Sequence, residues 1–236
     1  MTKKLYLEDT YQFHFEGLIQ ETGKDEKGIF IILDQTAFYP QGGGQPSDQG
    51  RIKNGPFEAD VIHVVQRGDE IRHYITSQTT GVPVGLKVYC QLNQERRLIN
   101  ACYHTAGHLL GNIVEILNPK LKAIKGHSFP GEAYVKFQGD NDSINATTLQ
   151  NEINEAIARN NKTVVFEIAP KAFEEQFYKL PYSVPDNKKF RAIQIGNMSP
   201  VPCGGTHLSY IGEIGFIRIS KIKIKNNYVC ISYEVT

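Results

Sequence analysis

Arg97-Leu98-Ile99-Asn100-Ala101-Cys102-Tyr103-His104-Thr105-Ala106-Gly107-His108-Leu109-Leu110 decides how this chain divides. It lies in a helix predicted to start at Asn93, whose side-chain oxygen can cap the free N–H groups of a first turn, and to stop at Pro119, just past Asn118. Leu98, Cys102, Leu109, Ile113 and Leu117 recur at helical spacing and are expected to form its apolar stripe. His104 and His108 are four residues apart, so both imidazoles project from one face about one turn from each other. They stand about a third of a turn from the stripe, which lets them point into the edge of a cleft. Strand signals precede this helix; a mixture of helix and strand signals follows it.

Upstream, alternation in Gln12–Glu16 and dense apolar runs in Ile29–Leu33, Ala59–Val65 and Ile71–Ile75 read as strands. Thr22-Gly23-Lys24-Asp25, Asn54-Gly55-Pro56 and Arg67-Gly68-Asp69 read as the turns between them. Short, closely spaced strands with no helical pattern suggest a small antiparallel barrel, ending near Thr79–Gly85. Downstream, Thr147 and Gln150 have the spacing of a capping box, opening a helix that buries Leu149, Ile153, Ala156 and Ile157. Thr163–Ile168 reads as a strand, and Pro170 opens a short helix through Tyr178. In Phe216–Lys225 the isoleucines fall at 217 and 219, then at 222 and 224. A phase change of one residue would turn the apolar set outward, so a β-bulge is expected near Ser220–Lys221, with Lys221, Lys223 and Lys225 sharing one face beyond it.

The composition is that of a globular chain: 236 residues, 40% hydrophobic, with a net charge of +1. No apolar run reaches the length of a membrane span, and Met1–Thr10 turns acidic too early for a signal peptide. A cytoplasmic location is therefore expected, with the four cysteines reduced. Cys90, Cys102 and Cys230 read as small buried residues. His14, His63 and His73 fall in strand patterns and read as surface or core residues. The near-zero net charge does not announce a nucleic-acid binder. Basic residues do cluster at Lys120/Lys122/Lys125, at Lys188/Lys189/Arg191 and at Arg218/Lys221/Lys223/Lys225, and each cluster taken alone reads as a solvated face.

A second pair of soft donors comes late. Cys203 and His207 sit in Pro200-Val201-Pro202-Cys203-Gly204-Gly205-Thr206-His207, a run that cannot be helix interior and must be a loop. With His104 and His108 it makes three imidazoles and one thiol at spacings that suit one ion. Three nitrogens and one sulfur favour zinc over magnesium or calcium.

These segments carry a resemblance. Arg97–Leu110 resembles the zinc helix of the alanyl-tRNA synthetase editing domain. Ile195–His207, with Gly212-Glu213-Ile214-Gly215 after it, is similar to the same family's second zinc motif. Phe38-Tyr39-Pro40-Gln41-Gly42-Gly43-Gly44-Gln45-Pro46-Ser47-Asp48-Gln49-Gly50 resembles its glycine-rich segment. The motifs occur in the family's order over most of the chain, as in its free-standing AlaX-type editing proteins of medium length. The resemblance implies an α+β fold, with a β-barrel domain over residues 1–90 and a zinc-containing aminoacyl-tRNA editing domain over 91–236. An independent protein is expected, rather than a fragment of a synthetase. No nucleotide-activation motif is visible, so ligase activity is not expected.

The same resemblance implies zinc on His104, His108, Cys203 and His207, and hydrolysis of the ester joining serine, or glycine, to the acceptor end of mischarged tRNA(Ala). A pocket built for alanine rejects an added hydroxyl only about a hundredfold, so a second site is needed to remove serine. Thr105 and Gln45 are expected to take part in catalysis. Gly42, Gly43, Gly44, His127 and Thr206 are expected to contact substrate. Thr105 has two alternatives, contact with the substrate or with a ligand imidazole. Four protein ligands leave no place for water, whereas catalytic zinc usually keeps one position open. One histidine standing outside the coordination sphere, a fifth coordination position, or a zinc that only orients substrate would each resolve this. A non-catalytic, zinc-stapled tRNA-binding module is the alternative reading.

Overall fold

A computed structural model describes residues 1–76, 82–140, 144–180, 184–185 and 187–236. The chain forms two compact units, Met1–Ala101 and Cys102–Thr236.

The first unit opens with β1 (Lys3–Lys4) and a 3-10 turn at Leu5–Leu7. It continues through β2 (His14–Asp25), β3 (Gly28–Leu33), β4 (Gln35–Thr36), β5 (Gly50–Asn54), β6 (Phe57–Arg67), β7 (Glu70–Thr76) and β8 (Lys87–Leu92). Six of these strands close a barrel in the order β2-β3-β7-β6-β5-β8, every pair antiparallel. Phe15, Ile19, Ile31, Leu33, Phe38, Ile52, Val61, Val64, Ile71 and Val88 fill it. The predicted barrel is present, and its last strand extends to Leu92. Two expected turns stand: Gly55-Pro56 joins β5 to β6, and Gly68-Asp69 joins β6 to β7, Gly55 and Gly68 having positive φ.

The third expected turn, Thr22–Asp25, is strand. The Phe30 ring lies over Gly23, where a Cβ would collide with it, so that glycine makes room for an aromatic ring instead of turning the chain. The chain turns at Glu26-Lys27. β5 and β8 were not read as strands, although Lys87–Leu92 carries the alternation of a half-buried strand. Of the expected barrel end, residues 79–81 lie outside the described residues.

Helix α1 (Gln94–Leu117) crosses the division between the units. Asn93 caps it as expected, accepting from Arg96 N at 3.0 Å. Leu109 and Ile113 are buried, but Cys102 is only half-buried and Leu117 is 45% exposed, so the stripe fades at the last turn.

The second unit continues with β9 (Leu121–His127), β10 (Tyr134–Gly139), α2 (Ala146–Ala158), β11 (Thr163–Ile168), α3 (Pro170–Gln176), β12 (Phe190–Ile195) and β13 (Val201–Pro202). A 3-10 turn at Ile211–Ile214, β14 (Ile217–Lys225) and β15 (Tyr228–Val235) complete it. One sheet has the order β14-β15-β10-β9, the other β11-β12-β13. The bulge in β14 falls between Ile219 and Lys221. It keeps Ile217, Ile219, Ile222 and Ile224 opposite Val235, Tyr233, Ile231 and Val229, the core-facing side of β15. Helix α2 buries the four expected residues, but its cap is Asn145, whose side chain accepts from Thr148 N at 2.9 Å. Gln150 is not part of a capping box: its amide reaches β14, accepting from Ile219 N at 2.8 Å and donating to Ile217 O. Helix α3 ends two residues short of Tyr178 and packs Phe173 against Phe190. Cys230, expected to be buried, is half-exposed on β15, while Cys90 is fully buried. No helix among the described residues is long and apolar enough to cross a membrane.

Candidate metal centre

Helix α1 supplies His104, Thr105 and His108; the loop after β13 supplies Cys203 and His207. That loop is held at both ends. Cys203 N donates to Arg191 O at 3.0 Å and Arg191 Nη1 donates to Cys203 O at 2.7 Å, fixing its start to β12. Leu208 N donates to Thr105 Oγ1 at 3.0 Å, fixing its far end to α1. The four predicted ligand residues converge, with their donor atoms all within 4.8 Å of one another. Cys203 Sγ lies 3.2 Å from His207 Nε2 and 3.5 Å from His104 Nε2. Bond lengths of about 2.3 Å to sulfur and about 2.0–2.1 Å to nitrogen give a tetrahedral edge of about 3.5 Å, so these separations fit one shared ion. The imidazole centroids are 4.5–5.0 Å apart, with His108 the outer member of the three.

The local electrostatics suit a metal. Burial holds His104 and His207 well below the usual imidazole range and takes His108 down to about 4. Neighbouring imidazoles and Arg191 push His104 and His207 the same way. All three are therefore neutral, the form that has a lone pair to give. Burial raises the Cys203 thiol, while the Gly205 N–H, 3.3 Å from Sγ, and Arg191 oppose that rise. A cation at the centre would favour the thiolate further.

Thr105 is fully buried, and its hydroxyl lies 3.4 Å from His207 Nδ1. With Nδ1 turned to Thr105 and Nε2 to Cys203, the ring is oriented as a ligand imidazole should be. Of the two contacts open to Thr105, the one to an imidazole of the cluster, His207, is present in the structure. Thr206 is fully buried. His127 ends β9, its ring stacked on Phe129 at 4.3 Å and on Tyr134 at 5.3 Å.

Gly42, Gly43, Gly44 and Gln45 belong to the first unit. Gly42 and Gln45 exchange two backbone hydrogen bonds of 3.1 and 2.9 Å around Gly43 and Gly44, both at positive φ. Those two glycines are thus required by a tight hairpin turn. Gln45 is completely buried.

Three structural partners went unread in the sequence. Tyr233 Oη donates to Tyr103 O at 2.7 Å and lies 3.5 Å from Ser128 Oγ. A Cβ on Gly107 would meet that phenol oxygen at 2.8 Å, which explains a glycine between two candidate ligand histidines. In the first unit, Arg97 and Asp48 form a fully buried ion pair. The guanidinium also donates to Thr10 O at 2.8 Å and to Ala37 O, and Asp48 accepts from Tyr39 N at 2.7 Å. Both residues stand inside the segments that carry the resemblance, but Arg97 lies off the apolar stripe read for the helix, so no local signal marked the pair.

Comparison with known proteins agrees with this architecture. Residues 8–96 match the model for class II (A) tRNA synthetases, and residues 190–228 match that for the threonyl and alanyl tRNA synthetase second additional domain. The chain is 31% identical over 227 residues to the alanyl-tRNA editing protein AlaX-L of Pyrococcus horikoshii, covering 96% of this chain but only 56% of that longer protein. It is 30% identical over 242 residues to AlaX-M of Methanosarcina acetivorans, covering 95% of each chain. AlaX-M of Methanosarcina mazei is also 30% identical, with 95% of this chain and 92% of the relative covered. Similarity that runs nearly end to end along proteins of this length places the chain in the AlaX family of alanyl-tRNA editing proteins.

Proposed function

We propose that this protein is a trans-acting editing hydrolase that cleaves the ester between serine and the terminal adenosine of mischarged tRNA(Ala), with glycyl-tRNA(Ala) as a second substrate. The observation that carries the reading is the convergence of His104, His108, Cys203 and His207 from a helix and a loop about a hundred residues apart, in a chain related to editing proteins. A donor set of three imidazoles and a thiol suits zinc. When bound there, zinc supplies Lewis acidity for ester hydrolysis. The chain's own residues hold the geometry. Thr105 fixes the His207 ring, Arg191 fixes the Cys203 backbone, and Gly107 lets Tyr233 tie β15 to the helix beside His104. Thr105 is on this reading a positioning residue. His127 and Thr206 are assigned to the substrate side, as are Gly42, Gly43 and Gly44; Gln45, expected to take part in catalysis, has no solvent exposure and is left without a catalytic role on this reading.

Selectivity follows from chemistry. A site that hydrogen-bonds the serine hydroxyl rejects alanine by about ten-thousandfold or more, because alanine leaves its polar groups unpaired; glycine lacks the hydroxyl too, so its release is expected to be much slower than that of serine. The test is deacylation of seryl-, glycyl- and alanyl-tRNA(Ala) by zinc-loaded protein. Release of serine, sparing of alanine and loss of turnover in Cys203→Ala are expected. Serine released no faster than in buffer, by protein that binds tRNA and zinc, would establish the non-catalytic binding module instead.

A further inference from the structure

We infer that the outer face of the β14-β15-β10-β9 sheet is an RNA-binding platform, five lysines gripping backbone phosphates and tyrosine rings offering stacking surfaces to bases. The inference rests on the reading that the substrate is a tRNA, and assigns the surface that holds it.

The face follows from the register. Directly opposite residues in antiparallel strands point to the same side. One row across the sheet is Lys221, Ser232, Tyr134 and His127. The next is Lys223, Cys230, Lys136 and Lys125, and the third is Lys225, Tyr228, Gln138 and Lys122. The opposite face carries Val135, Phe137, Val229, Ile231 and Tyr233, all buried. Two basic clusters about a hundred residues apart in sequence therefore fuse into one surface. Adjacent columns are about 4.8 Å apart and alternate residues about 6.7 Å, so the patch spans roughly 14 Å each way.

Some of its charge is spent locally. Lys122 pairs with Glu115 at 3.1 Å, and Arg218 pairs with Glu234. Among the described residues, Lys125, Lys136, Lys221, Lys223 and Lys225 have no carboxylate partner. Lys136 Nζ lies 4.0 Å from the centre of the Tyr228 ring and Lys125 Nζ 6.0 Å from that of Tyr134. Tyr134 continues into the stack with His127 and Phe129. Cations interleaved with rings on an open sheet are what a strand of RNA needs, with phosphates to neutralise and unstacked bases to cover. Lysines on edge strands also guard against sheet-to-sheet pairing, which accounts for charge on β14 and β9. It does not account for Lys136, Tyr134 and Tyr228 on the two inner strands. His127 is followed by Ser128, which touches Tyr233 Oη beside Gly107.

The experiment is binding of labelled, uncharged tRNA(Ala) to the full-length zinc-loaded protein over a range of salt concentrations, which reads the surface without turnover. Lys125→Gln/Lys136→Gln/Lys223→Gln is expected to weaken binding at least tenfold. It should also lower the slope of log affinity against log salt by about 2 to 3, since each phosphate contact contributes about 0.7–0.9. Tyr134→Ala should weaken binding by about fivefold or more with little change of slope. Lys188→Gln/Lys189→Gln, the cluster outside this face, should leave binding at the wild-type level. Wild-type affinity and slope in the triple lysine variant, with its circular dichroism unchanged, would overturn the assignment. So would equal binding of heparin and tRNA that ignores Tyr134→Ala, the mark of a general polyanion site. Hydrolysis of seryl-adenosine by the wild-type protein is measured alongside. Its absence would sink the hydrolase reading, while the binding data would still judge the platform.

Discussion

Thr105→Val tests how the metal centre is held. The substitution keeps shape and removes the hydroxyl. Thr105 Oγ1 accepts from Leu208 N at 3.0 Å and faces His207 Nδ1 at 3.4 Å, in a position with no solvent exposure. Valine leaves the Leu208 N–H without that acceptor, at a cost of about 1–3 kcal/mol, and frees the His207 ring to rotate. Loss of such a partner to a ligating imidazole typically lowers metal affinity about 10- to 100-fold, which is about 1.4–2.7 kcal/mol. Thr105→Ser retains the hydroxyl and should recover most of the affinity. The assay is zinc competition against a chromophoric chelator, at fixed pH, for wild type and both variants. A Thr105→Val protein that binds zinc as tightly as wild type would refute the positioning argument. If it also lost deacylation, Thr105 would have to act on the substrate itself.

Two predictions concern the barrel. Asp48→Ala strands the Arg97 guanidinium in a fully buried position, so barrel stability should fall by about 3–5 kcal/mol, read by hydrogen exchange of β3 and β7 amides in urea. Exchanging both partners, Asp48→Leu with Arg97→Met, should cost less than the sum of the singles; strict additivity would show that the pair is not coupled. His73 is fully buried between Thr36 Oγ1 at 2.8 Å and Ile31 O at 3.2 Å, and burial lowers its pKa to about 4. A depressed imidazole is neutral in the folded state, and below about pH 6.5 the unfolded chain takes up the proton instead. Stability should therefore decline as pH falls from about 6.5 toward 4, by about 3 kcal/mol from this group. His73→Gln should flatten that decline, and an unchanged pH profile would contradict the assignment.

What was legible in the sequence was whatever local spacing controls. The isoleucine phase in β14 located its bulge to the residue, and Asn93 and Pro119 bounded α1 because capping and ring sterics act over one turn. Two glycine-centred turns were read correctly for the same reason. Errors arose where a partner far along the chain changed a residue's task. Gly23 suits a turn until Phe30 claims the space above it. Gln150 suits a capping box until β14 offers it an N–H and a carbonyl. Arg97 had no assigned partner, because Asp48, which lies beside it, is 49 residues earlier. The histidines and Cys203 were visible as ligand types, but the roles of Tyr233 and Gly107 emerge only from the close approach of β15 to α1. The two basic clusters were visible one at a time; their union on one face is a fact of register.

If four side chains share one ion, X-ray absorption at the zinc edge of the purified protein will show it. One zinc per chain is expected, with one sulfur at about 2.3 Å and nitrogen neighbours at about 2.0–2.1 Å, the sulfur disappearing in Cys203→Ala. A protein that retains no stoichiometric metal, or one whose zinc has only oxygen neighbours, would contradict it.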